Sequence, residues 1–216
     1  MATPLHSISI SARAVINLHS LNNEGTEGNQ TQTRMVHVYA DGMLHSVNAI
    51  SGDMFKHIQS EHLHRLALHE GLPLSEGARL FNANRINYDL AKNNFLKEAK
   101  TNSEAMDLIL QRCAVTDLAG TLVTVGNRSL PRKSVVEFGW VVGIPNNVRT
   151  DAYFHVKYES ERGGGSAAID DESGSVAGRQ AIFHRPASSG AYAVVLQIEA
   201  SRVGFNDISQ KYAISP

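Results

Sequence analysis

The chain has 216 residues, of which 42% are hydrophobic and 19% charged, and its net charge is -1. These values are typical of a globular protein with one domain, or one domain with insertions, and exclude a strongly basic nucleic-acid binder. The single cysteine, Cys113, excludes a disulfide framework and a cysteine-rich zinc site. The sequence contains neither an apolar run of about 20 residues nor a signal-peptide pattern at residues 1–7, so we expect a cytoplasmic protein without a membrane partner.

The first half of the chain predicts strands followed by a helix. Residues 7–19 alternate between apolar and polar side chains, which predicts a strand with Ile8 and Ile10 on its buried face and Arg13 and His19 on its open face. Residues 22–32 are rich in amides, hydroxyls and glycines and predict a loop that binds either water or a ligand. The segments Arg34–Tyr39 and Met43–Ile50 predict a hairpin around an Asp41-Gly42 turn.

Residues 50–65 predict a helix that enters from a turn at residues 51–53, with Asp53 accepting from the first free N–H groups. Its spacing predicts a buried stripe made of Phe55, Ile58, His62 and Leu66. The polar flank carries Lys56, His57, Ser60, His64 and Arg65. Such a flank is either simply solvated or part of a ligand site.

The middle of the chain predicts a helical insertion at residues 71–113. Gly71-Leu72-Pro73 ends the first helix, and helices are expected at 87–97 and 104–112, with Cys113 buried at the end of the second. Strands are expected at 115–125 and 133–142, on either side of a cation-rich loop at 126–132. Between residues 126 and 157 there are five basic residues and two acidic ones, so any anion site is expected to be local.

The last part of the chain predicts further strands around a glycine-rich arm. Strands are expected at 151–159, 180–184 and 191–200, with a turn at 188–190, whereas residues 160–178 lack core-forming side chains. The order of elements indicates an α+β protein. We expect a mostly antiparallel sheet backed by helices, as in an RRM-like (ferredoxin-like) core with insertions.

Catalytic and metal motifs are not apparent in the sequence. The four histidines at 57, 62, 64 and 69 contain no i, i+4 pair, and there is no Walker A loop, dinucleotide fingerprint or nucleophile elbow. We therefore expect no metal, no cofactor and no enzyme activity. Asp117 is either an acid at a strand end or a turn or cap residue.

Several elements carry side chains that suit phosphate groups. They are Arg13, His19, Asn22, Asn23, Lys56, His57, Arg128, Arg132 and Lys133. Cations and amides without a poised base or nucleophile suit the holding of a polyanion, because backbone contacts position a strand without reaction chemistry.

Six segments together resemble the DevR family of CRISPR-associated proteins, the backbone ("Cas seven") subunits of type I Cascade effector complexes. They are ISISARAVINLHSLNNEG, EGNQTQTR, VNAISGDMFKHIQSEHL, RCAVTDLAGTLV with RKSVVEFGW, and SGAYAVVLQIEASRVGFND, between residues 7 and 208. The resemblance implies an RRM-like palm with an antiparallel sheet, a helical insertion and a β-hairpin thumb at about residues 157–180. Members of that family usually continue into a further helix and C-terminal segment, so this sequence is expected to be either part of a longer chain or a naturally short member.

The resemblance implies a non-catalytic subunit that assembles head to tail along guide crRNA and presents it to target DNA, beside other Cascade subunits. Asn22, Asn23, Lys56 and His57 would then contact the RNA in the palm, and Arg128, Arg132 and Lys133 would lie near the same groove. Adding Arg34 and Ser60 to the phosphate-compatible residues above completes the expected RNA-binding set. Two alternatives stay open: an endoribonuclease of the related type III kind that uses Asp117, and a standalone single-stranded nucleic-acid binder or autoregulator.

Overall fold

The computed structural model describes residues 5–158 and 180–214. The strands in these residues are β1 (Ile8–His19), β2 (Asn23–Glu27), β3 (Gln30–Thr33), β4 (Met35–Ala40), β5 (Met43–Ile50), β6 (Thr121–Val125), β7 (Arg128–Arg132), β8 (Val136–Phe138), β9 (Val141–Tyr158), β10 (Gln180–Ile198), β11 (Phe205–Asn206) and β12 (Lys211–Tyr212). The α-helices are α1 (Gly52–His69), α2 (Glu76–Arg79), α3 (Ile86–Lys92), α4 (Asn102–Arg112) and α5 (Ala114–Ala119), with 3₁₀ turns at Phe95–Glu98 and Ala200–Arg202. The expectation of an α+β protein is confirmed.

The chain divides into two compact units whose boundaries fall within β1, β9 and β10. The first unit comprises residues 1–12, 51–141 and 193–216, and contains all five helices. Its core is an apolar cluster in which Ile86, Ile109, Leu110, Val123 and Leu130 are buried. The β6–β7 hairpin packs on this cluster through alternate residues, because successive side chains of a strand point to opposite faces.

The second unit comprises residues 13–50 and 142–192 and is built from strands. Its strands lie in the order β2-β3-β10-β9-β5-β4. The hairpin β4–β5 turns at Asp41-Gly42 as predicted, with Ala40 opposite Met43. One pair is parallel, since His184 of β10 lies beside Gln30 of β3, so the sheet is mixed rather than wholly antiparallel.

Helix α1 forms, but it buries a different face from the predicted one. Ile58 and Leu66 are exposed, whereas Ser60 and Ala67 are buried. Small side chains face inward because they allow the helix backbone to approach its neighbours closely. The N-cap also differs: Ser51 is the capping residue, and its Oγ accepts from the backbone N–H of Asp53 at 3.2 Å.

Strand β1 has the predicted length, but its alternation does not produce a buried apolar face. Ile8 and Ile10 are 36% and 44% exposed. At Leu18 the backbone enters the left-handed region, with φ 51°, and the following residue, His19, is buried. At the end of the strand, Leu18 is therefore exposed and His19 is buried, which is the opposite of the expected arrangement.

Three other segments differ from their predicted structure. Residues 23–33 form the β2–β3 hairpin instead of a loop, and most of the expected loop at 126–132 is strand β7. Residues 114–119 form helix α5 rather than the start of a strand, because α4 ends at Cys113, whose Sγ caps α5 by accepting from Thr116 N at 3.4 Å. The expected turn at 188–190 is continuous strand, with Gly190 at φ 143°. The helix predicted at 87–97 is shorter, since α3 ends at Lys92 and a 3₁₀ turn follows at Phe95–Glu98. The helix predicted at 104–112 and the burial of Cys113 are confirmed.

Candidate nucleic-acid interface

Polar residues at the start of the β2–β3 hairpin are held together by one carboxylate. The side-chain amide of Asn22 donates to Glu24 Oε1 at 3.2 Å, and Arg34 forms an ion pair with the same oxygen. Asn22 adopts a left-handed backbone conformation, φ 59°, and its carbonyl accepts from the Arg34 N–H at 3.4 Å. Asn23 Nδ2 contacts Ser20 Oγ at 3.4 Å. The structure therefore brings Asn22, Asn23 and Arg34 to one exposed hairpin.

Arg13 is exposed on β1, but His19 is not available to a ligand. His19 Nε2 lies 2.8 Å from the Tyr192 hydroxyl oxygen, and that hydroxyl donates to Asn48 Oδ1 at 3.0 Å. The Leu21 N–H donates to His19 Nδ1 at 3.4 Å, which assigns the neutral imidazole with its proton on Nε2. Burial lowers the pKa of His19 below its usual value. This side chain belongs to a buried polar network, so the geometry disfavours the predicted RNA contact by His19.

Helix α1 presents three predicted residues in three different environments. Lys56 is half-buried on the flank of the helix, and His57 is exposed with its ring centroid 5.6 Å from that of Phe81. Ser60 is only 4% exposed and lines a cavity of about 370 Å³ together with His57 and Phe81. Lys56 and His57 are therefore accessible candidates, whereas Ser60 can be reached only through the cavity.

Arg128 at the start of β7 is tied to the end of the preceding helical segment. Its Nη1 donates to the carbonyl oxygen of Thr101 at 2.8 Å and to Asn102 Oδ1 at 3.3 Å, and its Nη2 donates to the carbonyl oxygen of Ala99. Thr101 is the N-cap of α4, so Arg128 fixes the hairpin to the start of this helix. These bonds give Arg128 a structural role and disfavour the predicted RNA contact.

Arg132 is 3% exposed and lies at the centre of an ion-pair network. Its Nη2 donates to Asp117 Oδ1 at 2.5 Å and to the carbonyl oxygen of Arg202 at 2.6 Å. Its Nη1 donates to Asp207 Oδ2 at 2.7 Å and to the carbonyl oxygen of Phe205 at 2.9 Å. All of these partners are internal, so the geometry disfavours the predicted RNA contact by Arg132.

Lys133, the next residue, is exposed, and its Nζ lies 3.2 Å from Glu137 Oε1. The alternation of β7 already contains the signal that separates Arg132 from Lys133. Arg132 follows the buried Leu130 by two residues and so points to the same face of the strand. Lys133 is the residue of this pair that a ligand can reach.

Asp117 lies in helix α5 rather than at a strand end and is 2% exposed. Besides the Arg132 guanidinium, its carboxylate accepts from the Gly204 N–H at 2.7 Å. Burial raises the pKa of Asp117, and the Gly204 and Arg132 bonds oppose this rise. A carboxylate enclosed in this way does not reach a bound strand, so the geometry disfavours Asp117 as the residue of an endoribonuclease.

Exposed and half-buried aromatic and basic side chains, which we call the aromatic ribbon, are grouped on β9 and β10. It consists of Tyr153, Phe154, His155, Phe183, His184 and Arg185. Phe154 and His184 have ring centroids 4.3 Å apart, His155 is stacked on Phe183 at 5.8 Å, and the Arg185 guanidinium lies 5.2 Å from the Phe183 ring centroid. Phe154 is 73% exposed, so most of its ring is accessible to a ligand.

The aromatic ribbon adjoins a cavity of about 470 Å³ that is also lined by Leu18, Ser20 and Pro186. None of the six residues of the aromatic ribbon is in the predicted set, although the triplets Tyr-Phe-His and Phe-His-Arg, in strands on either side of the glycine-rich arm, are a signal in the sequence. Aromatic faces beside an arginine are the side chains on which single-stranded bases stack. The predicted thumb at residues 157–180 lies mainly outside the described residues.

Among the residues that the structure describes, no three histidine, cysteine or acidic side chains are grouped closely enough to hold a metal ion. The helices of the same residues include none that is long and apolar enough to cross a membrane.

Comparisons with known proteins identify related chains. The model of a family described as CRISPR-associated negative auto-regulator DevR/Csa2 matches residues 10–216. The CRISPR-associated aCascade subunit Cas7/Csa2 2 of Saccharolobus solfataricus is 26% identical over 204 residues, which cover 89% of this chain and 59% of that relative. A chain of a solved CRISPR RNA-guided surveillance complex, pre-nicking, aligns with a TM-score of 0.48 and 12% identity, over 91% of this chain and 66% of that chain.

Proposed function

Because this chain belongs to the CRISPR-associated DevR/Csa2 family, we propose that it is a backbone subunit of a type I CRISPR effector complex that binds guide crRNA. The related aCascade subunit supports a place in such a complex. The chain spans 59% of that relative's length, so the proposal concerns the part of a backbone subunit that this sequence contains.

The observation that carries the proposal is the aromatic ribbon. Its rings form two groups of contacts, Phe154 with His184 and His155 with Phe183 and Arg185. Such rings suit single-stranded RNA, because every base has a face that can stack. Stacking does not depend strongly on which base is present. A subunit that binds guides of different sequence requires this tolerance.

Polar residues on other elements supply the phosphate contacts in this proposal. Seven of the predicted residues are exposed or half-buried: Arg13, Asn22, Asn23, Arg34, Lys56, His57 and Lys133. Because the net charge of the chain is only -1, the whole protein does not attract RNA electrostatically. Phosphate binding therefore depends on these few local groups.

We further propose that the chain has the RRM-like palm of the family, that residues 157–180 form the thumb, and that copies assemble head to tail along crRNA and present it to target DNA beside other Cascade subunits. Exposed apolar side chains support the assembly. Ile8 and Ile10 on β1 and Leu66 and Leu68 on α1 are at least 36% exposed, and contact with another subunit would remove them from water.

In the proposed role the chain holds RNA without cutting it. The enclosure of Asp117 by Arg132 and Gly204 supports this part of the proposal, since the aspartate that the endoribonuclease hypothesis requires is engaged inside the protein.

The test compares two aromatic residues of equal exposure. Phe154 and Tyr39 are each 73% exposed, so Phe154→Ala and Tyr39→Ala should leave stability nearly unchanged. We expect Phe154→Ala to weaken binding of a fluorescent single-stranded RNA by about 5- to 100-fold, from the loss of one stacking contact. Tyr39→Ala, the matched control, should bind as the unaltered protein does. Binding is measured by fluorescence anisotropy, with mass photometry reporting the number of copies bound.

A Lys56→Glu/Lys133→Glu variant tests the phosphate contacts in the same assay. We expect weaker RNA binding. The slope of log affinity against log salt concentration should also become less steep, by about 0.7 for each lost phosphate contact. Tight binding by a monomer, without assembly on longer RNA, would favour the standalone binder. Equal affinities for the unaltered protein and Phe154→Ala would contradict the role of the aromatic ribbon.

A further inference from the structure

A cavity of about 370 Å³ lies between helix α1 and the segment that follows α2. Residues from α1, including His57 and Ser60, form one wall, and Phe81, Asn82 and Arg85 contribute to the opposite wall. All of these residues belong to the first compact unit. The volume is within the range of protein sites for small organic groups.

Ser60 is the strongest indication of a ligand. Its residue is 4% exposed, and its Oγ has no hydrogen-bond partner among the residues that the structure describes. Buried hydroxyl groups nearly always have a partner. Thr116 Oγ1 is also without a described partner, but Thr116 does not line the cavity, whereas Ser60 does. Ser60 Oγ is therefore a buried hydroxyl in the wall of the cavity whose capacity to donate and accept is unused among the described residues.

The opposite wall offers a flat aromatic surface. Phe81 is half-buried, with its ring centroid 5.6 Å from that of His57 and 5.1 Å from that of His64. His64 is itself fixed, because its Nε2 lies 3.0 Å from the carbonyl oxygen of Arg79. A planar group that entered the cavity would meet the Phe81 ring as one of its walls.

The wall is rigid without a ligand. Arg85 Nη1 donates to the carbonyl oxygen of Gly120 at 2.6 Å, and Gly77 packs so closely that a Cβ there would lie 2.1 Å from the Arg85 carbonyl oxygen. The Asp89 carboxylate accepts from the N–H groups of Glu76 and Gly77 at 2.8 and 2.9 Å. A site that is held in shape in this way loses little freedom when it binds.

The chemistry of the lining selects the class of ligand. An aromatic wall, one buried hydroxyl, the amide of Asn82 and the imidazole of His57 match a flat ring that carries donors and acceptors on its edge. Neither a carboxylate nor a thiol lines the cavity, which argues against a metal ion.

We propose that this cavity is a nucleobase site, in which one base lies against Phe81 and its polar edge bonds to Ser60. The inference rests on the proposed function, since RNA is the expected source of the base. A free mononucleotide offers the same chemistry, so the experiment includes both sources.

The probe is 2-aminopurine, whose fluorescence falls on stacking, placed at single positions in a single-stranded RNA and also used as the free riboside. We expect Phe81→Leu, which keeps an apolar side chain but removes the ring, to abolish the fluorescence change, whereas Phe81→Tyr retains it. Ala83 is exposed and lines the cavity, so Ala83→Phe should block entry from the solvent side. Each blocking change should weaken binding of the base by about tenfold.

Ser60→Ala separates ligand binding from a structural role. If Ser60 Oγ serves a base, this variant should bind 2-aminopurine more weakly while its melting temperature stays equal to or above that of the unaltered protein, because an unpartnered buried hydroxyl is removed. A fall in melting temperature with unchanged binding would overturn the assignment of Ser60 and leave it a structural residue.

The remaining outcomes distinguish the inference from the proposed function. RNA binding with the same fluorescence in Phe81→Leu and Phe81→Tyr would overturn the base site and leave the proposed function standing. If the unaltered protein binds no RNA, the proposed function fails, and the 2-aminopurine riboside then tests the inference alone. A fall in riboside fluorescence that is lost in Phe81→Leu would support a mononucleotide site. Riboside fluorescence that does not change when the unaltered protein is added would overturn the inference as well.

Discussion

Replacing Arg132 by alanine should destabilise the protein instead of removing an RNA contact. The guanidinium group is fully enclosed and bonds to two carboxylates and to the carbonyl oxygens of Phe205 and Arg202. Arg132→Ala would leave the Asp117 carboxylate buried without its cation, and truncating one partner of a buried ion pair costs about 3–5 kcal/mol.

The lower part of that range fits this network best. Asp207 would keep Arg202 Nη2, which lies 2.8 Å from its Oδ2, and Asp117 would keep the Gly204 N–H. We therefore expect the free energy of unfolding to fall by about 3–4 kcal/mol. For a protein of this size, each kcal/mol lowers the melting temperature by about 2–4 °C, which predicts a fall of about 6–16 °C.

Lys133→Ala is the matched control, because the neighbouring Lys133 forms only a surface ion pair with Glu137. Its free energy of unfolding should change by less than about 1 kcal/mol. In urea denaturation, Arg132→Met/Asp117→Leu should be more stable than Arg132→Ala, since no buried charge remains unpaired. An Arg132→Ala protein with unchanged stability and lost RNA binding would refute this account and restore Arg132 to the RNA contacts.

Two further predictions concern the second unit. Burial lowers the pKa of His19 in the folded protein. As the pH falls below about 6.5, the unfolded chain is therefore protonated at His19 before the folded protein is. The stability present above about pH 6.5 should be lost progressively until the pH reaches the lowered pKa of the folded state. Denaturation from about pH 7.5 to about pH 5.5 should therefore show a flatter pH dependence in His19→Gln than in the unaltered protein, and equal slopes would contradict the assignment. At Gly190, with φ 143°, a Cβ would lie 2.0 Å from the Asn147 carbonyl oxygen, so Gly190→Ala should lower the free energy of unfolding by more than about 1 kcal/mol. Gly139→Ala, whose Cβ would meet only ordinary contacts at 3.8 Å, should stay within about 0.5 kcal/mol, and similar losses in both variants would argue against strain at Gly190.

The sequence predicts the elements of this protein better than their environments. The β4–β5 hairpin, helix α1 and helix α4 follow from local turn signals and periodicity, because these depend on neighbouring residues. The buried face of α1 does not, since Ser60 and Ala67 turn inward while Ile58 is exposed. Which face is buried depends on the elements that pack against the helix, and those elements are distant in the sequence.

The same limit applies to the candidate site. Residue type identifies a cation but not its partner, and the acceptors of Arg132 lie 15 to 75 positions away in the sequence. Alternation along β7 places Arg132 on the same face of the strand as the buried Leu130, so the burial of Arg132 could have been predicted. The burial of His19 could not, because it depends on the left-handed conformation of Leu18, which is not a glycine.

The partners of the basic residues bear on how such a subunit can hold RNA. Arg128 and Arg132 are engaged internally, and Arg34 and Lys133 are paired with Glu24 and Glu137. Phosphate groups could bind these four residues only in competition with internal acceptors, so the electrostatic contribution of the four to RNA affinity would be small. Under the proposed function, stacking on the aromatic ribbon adds affinity that does not depend on charge. Under the proposed function, tight binding would then come from the sum over copies on one RNA, because linked binding events act at a high effective concentration. A near-neutral chain is compatible with an RNA-binding backbone for this reason, and weak binding by each copy would favour assembly on the guide over binding elsewhere.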